Sequence, residues 1–174
     1  MLLTGDDNMD KLKIYTASFY QVRNLQPNMI PFSTATGEPS WYHDNKDRNH
    51  VFIDKRGVYN GLIAEPFQFD KTLLSDVPCC KGCSLKPFTC SFMRAYRESI
   101  EKHSFDDIIT YLSNKIEQVR ETLDFKGEPI VILLVYEKPT CECAERPVIQ
   151  QYFKDHGYDV IEWSPDLAYK AVLF

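Results

Sequence analysis

Hydrophobic and polar positions along the chain alternate between two patterns. Residues 12–17 (LKIYTA) are short, aromatic and β-branched, as in a buried opening strand. Residues 18–25 suit a short helix, closed by the turn signal Gln26-Pro27-Asn28. Residues 29–33 (MIPFS) predict a second strand, and Pro31 places it at a strand end or a sheet edge. Residues 91–102 predict a helix. Ser104 then offers an N-cap, with Asp107 three residues on. From there Ile108, Leu112, Ile116, Val119 and Leu123 recur at helical spacing, the stripe of an amphipathic helix running to about residue 124. Lys126-Gly127-Glu128-Pro129 stops it.

Residues 130–136 (IVILLVY) are apolar on both faces, which is the pattern of a central parallel strand covered on each side. Pro147 fits the first turn of the next helix, which ends at His156 and Gly157, and residues 158–163 form a further short strand. Strand, helix and strand in this order make a right-handed crossover unit. The fold class that follows is α/β: a single domain with a mostly parallel, Rossmann-like three-layer sheet.

Between residues 34 and 70 the periodicity fails, and a cysteine cluster at 79–90 follows. A hairpin of residues 50–54 and 58–63 is the clearest element there, and residues 44–90 read as an irregular, cysteine-containing insertion. Residues 1–10, with Asp6, Asp7 and Asp10, suit a flexible leader rather than a signal peptide, with Met9 as an alternative start. The domain proper is thus 11–174.

Composition narrows the function classes. At 174 residues, 44% hydrophobic and 13% aromatic, the chain has enough apolar material for one core. Its net charge of −5 gives no basic footprint for duplex nucleic acid. The run at 130–136 is far too short to span a membrane. Six cysteines without a signal peptide point to a reducing cytoplasm, where cysteine spacing speaks of metal or thiol chemistry rather than of bridges.

Cys80 and Cys83 form a Cys-x-x-Cys pair with Gly82 inside, and Cys90 follows. Cys143, or Cys141, would complete a tetrahedral set if the insertion folds over the C-terminal loop. Such a set suits structural zinc first and an iron–sulfur cluster second. Free thiols or a redox pair are the other options.

Ligands in open α/β sheets bind beyond the carboxyl ends of the strands. Here that place is the loop EKPTCECAER, residues 137–146, directly after the most apolar strand. Glu137 and Arg146 are the candidate catalytic pair: Glu137 for acid–base or electrostatic work, Arg146 to anchor an anion at a helix N-terminus or else to pair with a glutamate. Thr16 and Ser18 would face the same rim as ligand-binding hydroxyls or a helix cap. Trp41 and Tyr42 offer rings for stacking or for the core.

The segments IYTASFYQVRNL, NMIPFS, PSWY and VILLVYEKP…ERPVIQQYF…HGYDVIEW resemble the short bacterial and phage form of the domain-of-unknown-function family 488. The likeness covers about half the chain, at its two ends. Members carry a cysteine where Val135 stands, and a Cys-His-Arg triplet that here becomes Cys143-Ala144-Glu145-Arg146. The resemblance implies an α/β fold and an unassigned enzymatic role.

The expectation is an intracellular enzyme acting on a nucleotide-like or other anionic small substrate, with a nucleotide- or glycosidic-bond-processing reaction among the candidates. The alternatives are a zinc-stabilised interaction protein, phage-encoded in one version, and a thiol redox or metal-handling protein.

Overall fold

The computed structural model describes residues 11–40, 42, 62–68, 89–122, 127–137 and 143–167. The leader at 1–10, the hairpin up to residue 61, most of the 44–90 insertion, Trp41, Cys80, Cys83 and Cys141 lie outside them.

Among the described residues five parallel strands form one sheet. They are β1 (Lys13–Ser18), β2 (Met29–Ser33), β3 (Leu62–Ile63), β4 (Ile130–Val135) and β5 (Ile161–Glu162), in the spatial order β3-β2-β4-β1-β5. The doubly apolar segment is the central strand. β4 lies between β1, with Ser18 opposite Val135, and β2, with Phe32 opposite Leu133.

Alternation divides the side chains of β4 between two layers. Val131, Leu133 and Val135 meet the helices α1 (Ser91–Glu101), α2 (Phe105–Thr122) and α3 (Glu145–Asp155). Ile132 and Leu134 meet Ala17, Val22, Leu25, Tyr42 and Trp163 on the opposite face. Val131 to Val135 are all fully buried. Burial of each such side chain contributes about 1.5–3 kcal/mol.

The helices begin and end where their chemistry directs. The Asp107 backbone N–H donates to Ser104 Oγ at 3.1 Å, so Ser104 caps α2. The stripe Ile108, Leu112, Ile116 and Val119 is buried against the sheet. At the end of α3, Gly157 takes φ +79°, and the Gly157 and Tyr158 amides donate to the Lys154 and Phe153 carbonyls. That is a Schellman closure, with the Tyr158 ring against Phe153. Residues 18–25 differ from the expected helix in kind: Phe19–Asn24 is a 3-10 helix, buried through Phe19 and Val22.

One local expectation is corrected. Pro31 sits inside β2, which is paired on both sides, and not at the sheet edge. The Thr34 amide donates to Leu134 of β4, while the Ser33 carbonyl accepts from Ala64 on the other side. By alternation the Pro31 nitrogen faces the β3 side, and the pairing with β3 begins only at Phe32. A missing N–H there breaks no ladder bond among the described residues. Leu62–Ile63, the described end of the expected hairpin, adds to β2 as a parallel strand. Among the described residues no helix is long and apolar enough to cross a membrane.

Candidate functional site

The sheet's carboxyl edge brings together residues from opposite ends of the chain. β1 lies between β4 and β5, so Thr16 pairs in register with both Leu133 and Glu162. α3 starts just beyond β4 and carries Glu145, Arg146 and Gln150 to the same rim. Arg146 is the centre. Its Nη2 donates to the Glu137 backbone carbonyl at 2.8 Å, and its Nε lies 2.7 Å from Glu162 Oε2. Thr16 Oγ1 donates to the same Glu162 oxygen at 2.7 Å and accepts from Gln150 Nε2 at 2.8 Å. Thr16 and Arg146 are both buried.

Glu137 and Glu145 also lie within electrostatic reach of Arg146. Glu145 is only 5% exposed. Burial, reinforced by the charge of Glu137 and opposed by Arg146, pushes its carboxyl up to about 9. Burial also raises Glu137, against its own backbone N–H and Arg146, and raises Glu162, against the Thr16 hydroxyl and Arg146. The phenol of Tyr96, buried in the core, is driven well above its usual value by burial and then by Glu145 and Glu137. It donates to the Phe67 carbonyl at 2.6 Å. Among the described residues, Glu137 Oε2, Glu145 Oε2 and Glu162 Oε1 are buried with no hydrogen-bond partner.

Glu137 and Arg146 are therefore brought together, but through the Glu137 main chain, and the guanidinium is engaged by Glu162. Thr16 is at the rim as a bonded, buried hydroxyl. Ser18 occupies the cap position of the 3-10 helix without a side-chain capping bond, and is buried. Tyr42 is wholly buried, edge-on to Phe19 at 5.1 Å, with its Oη 3.4 Å from the Leu62 carbonyl. It belongs to the core and is not a stacking surface for a ligand.

Of the expected metal ligands, Cys90 is buried at the N-cap position of α1, and Cys143 packs half-buried against the same core. Among the described residues no group of three or more His, Cys, Asp or Glu is arranged to hold a metal ion. The described clefts open elsewhere. One of about 350 Å³ lies beside Lys11, Lys13 and Tyr158 at the start of β1, and another of about 350 Å³ lies between α1 and α3.

Glu145, Glu162 and Gln150 are site residues that local pattern did not single out. Glu162 ends the last strand, and only the position of that strand beside β1 brings it to Arg146. The chain is thus an α/β domain with a carboxyl-rich cluster, built on one arginine, at the carboxyl edge of a parallel sheet. Comparison with known proteins finds no matching family model, no matching curated protein and no matching solved structure.

Proposed function

We propose that the protein is an enzyme that acts on a nucleotide-like small molecule at this edge, by proton transfer through Glu137 and Glu145, with cleavage of a glycosidic bond the favoured reaction. One observation carries the proposal: a buried carboxyl, Glu145, raised to about 9 beside a second carboxyl and an arginine. A carboxyl that keeps its proton at neutral pH, beside a second carboxyl, offers the groups that acid–base catalysis uses. Glu145 would hold the proton a leaving group needs, and Glu137 would face a developing cation or an attacking water. Arg146 fixes the Glu137 main chain and moderates the repulsion between the two carboxyls.

The test is turnover. Purified protein is incubated with ribonucleosides, deoxyribonucleosides and their monophosphates, and released base or sugar is separated by chromatography. Turnover by the wild type and a loss of about 100-fold or more in Glu145→Gln are expected, with circular dichroism unchanged. Absence of turnover across the panel, or an undiminished rate in a folded Glu145→Gln, refutes the proposal.

A further inference from the structure

The cleft between α1 and α3 has no part in the carboxyl edge. It holds about 350 Å³, and its floor is apolar, since the buried side chains of Met93 on α1 and Val148 on α3 line it. A cleft of this size with an apolar floor and a few polar groups suits a small molecule. It suits a protein partner less well. Both helices have 11 residues. They offer a face about 16 Å long, too short to supply the roughly 800 Å² per partner that a stable interface buries.

The polar groups around the cleft divide into two sets. Arg97 is fixed: its Nε lies 2.5 Å from Glu101 Oε1, its Nη2 lies 2.9 Å from Asp155 Oδ2, and its Cζ stands 4.9 Å from the centre of the Tyr152 ring. Gln151 Nε2 donates to the other Asp155 oxygen at 2.7 Å. These side chains form a wall that is held together within the protein. Arg94 and Glu98 line the same cleft one helical turn apart, and both are exposed. Neither side chain makes an ion pair or a hydrogen bond among the described residues.

Their placement does not serve the helix. Arg94 stands in the first turn of α1, where the helix dipole favours an acid, and Glu98 stands in the last turn, where it favours a base. A cation four residues before an anion is also the weaker order for a pair on one helix. A positive and a negative group, set against the dipole and left unanswered beside an apolar floor, are complementary to a ligand that carries both charges. Singly charged ligands fit less well. An anion at Arg94 would meet Glu98, Glu101 and Asp155 around the same cleft, and an amine at Glu98 would meet Arg94.

We infer that this cleft binds a free α-amino acid with an apolar side chain, its carboxylate received by Arg94, its ammonium by Glu98 and its side chain by Met93 and Val148. On an α-amino acid both charges are borne on one carbon. Side chains one turn apart on a helix stand about 5–6 Å apart at Cβ, close enough to bracket it. Each charged contact is a charge-assisted hydrogen bond that an analogue lacking the charge cannot make. Binding here is independent of catalysis at the sheet edge.

Ligand-observed saturation-transfer NMR titrations on the full chain test this with leucine, isoleucine, methionine and glycine. Each apolar amino acid is accompanied by its amino alcohol, which lacks the carboxylate, and its deamino acid, which lacks the ammonium. At least one apolar amino acid is expected to bind with a Kd of about 1–10 mM or tighter. Glycine and both analogues should bind more weakly by about tenfold or more. Arg94→Gln should weaken the amino acid about tenfold and leave its amino alcohol unchanged. Glu98→Gln should weaken the amino acid about tenfold and leave its deamino acid no weaker. Both positions are exposed, and circular dichroism checks that each variant is folded. Absence of binding by all three apolar amino acids overturns the inference. So does binding of glycine or either analogue as tight as that of the amino acid, or undiminished binding in either folded variant.

Discussion

Glu145 links the site to the stability of the whole fold, and the link has a sign. An ordinary glutamate in the unfolded chain titrates near 4.5, whereas the buried Glu145 carboxyl is pushed up to about 9, first by burial and then by the charge of Glu137. Below pH 4.5 both states hold the proton and Glu145 adds no pH dependence. Between 4.5 and 9 the unfolded chain has released a proton that the folded chain retains, so stability falls as pH rises through that window. The fall is about 1.4 kcal/mol per pH unit, or about 3 kcal/mol by pH 7. Glu145→Gln keeps the shape of the protonated acid and cannot ionise. Relative to the wild type it should gain about 3 kcal/mol between pH 4.5 and pH 7, and continue to gain toward pH 9. In urea titrations this moves the difference between the two midpoints by about 1–2 M. The upward displacement of Glu137 and Glu162 acts in the same direction in both proteins, so the difference between their pH profiles reports Glu145 together with its coupling to Glu137. Parallel profiles for wild type and Glu145→Gln across that range would refute the account of a proton held by burial beside Glu137.

Three further outcomes follow from the same structure. Leu133→Ala, at the fully buried middle of β4, should cost about 2–5 kcal/mol in denaturant melts, and a loss below about 1 kcal/mol would contradict its central place. Ser104→Ala removes the acceptor of the Asp107 amide and should cost about 1 kcal/mol, seen as a lower thermal midpoint, while Ser104→Asp should retain most of the stability. Arg146→Met leaves the buried carboxyl cluster without its cation and should cost about 3–5 kcal/mol at pH 7. Protonation relieves the carboxyls, so that loss should shrink at pH 5. An equal loss at both pH values would count against an electrostatic role for Arg146.

Much of the fold was legible because it is periodic. The stripe from Ile108 to Val119 announces α2, and the apolar run at 130–136 announces a strand with both faces covered, since a strand exposed on one face would alternate. Periodicity reports which face of an element is buried, and says little about which element lies beside it. That is why Pro31 suggested an edge strand. The residue tolerates an interior strand here because its nitrogen faces the one side where pairing starts only at Phe32. The same limit applies to Leu62–Ile63, whose apolar character fits a hairpin arm as well as the parallel strand it forms.

The site was half legible for a related reason. A loop of opposite charges directly after the most apolar strand drew attention to Glu137 and Arg146, because the end of a covered parallel strand is where a chain can collect polar groups without exposing its core. Their meaning depends on partners that the loop does not contain. Thr16 and Glu162 are 146 positions apart and meet only because β5 takes the place beside β1. That pairing turns Arg146 from a free anion anchor into one side of an ion pair. Glu145 was visible only as one of three loop glutamates, and nothing in that pattern marks it as almost fully buried. Its burial follows from α3 packing against α1, where Tyr96 of α1 feels its charge. Tyr42 shows the converse: of the two readings its ring allowed, a ligand platform or the core, it fills the core against Phe19. Burial, rather than residue type, therefore separates a chemical group from a structural one at this edge.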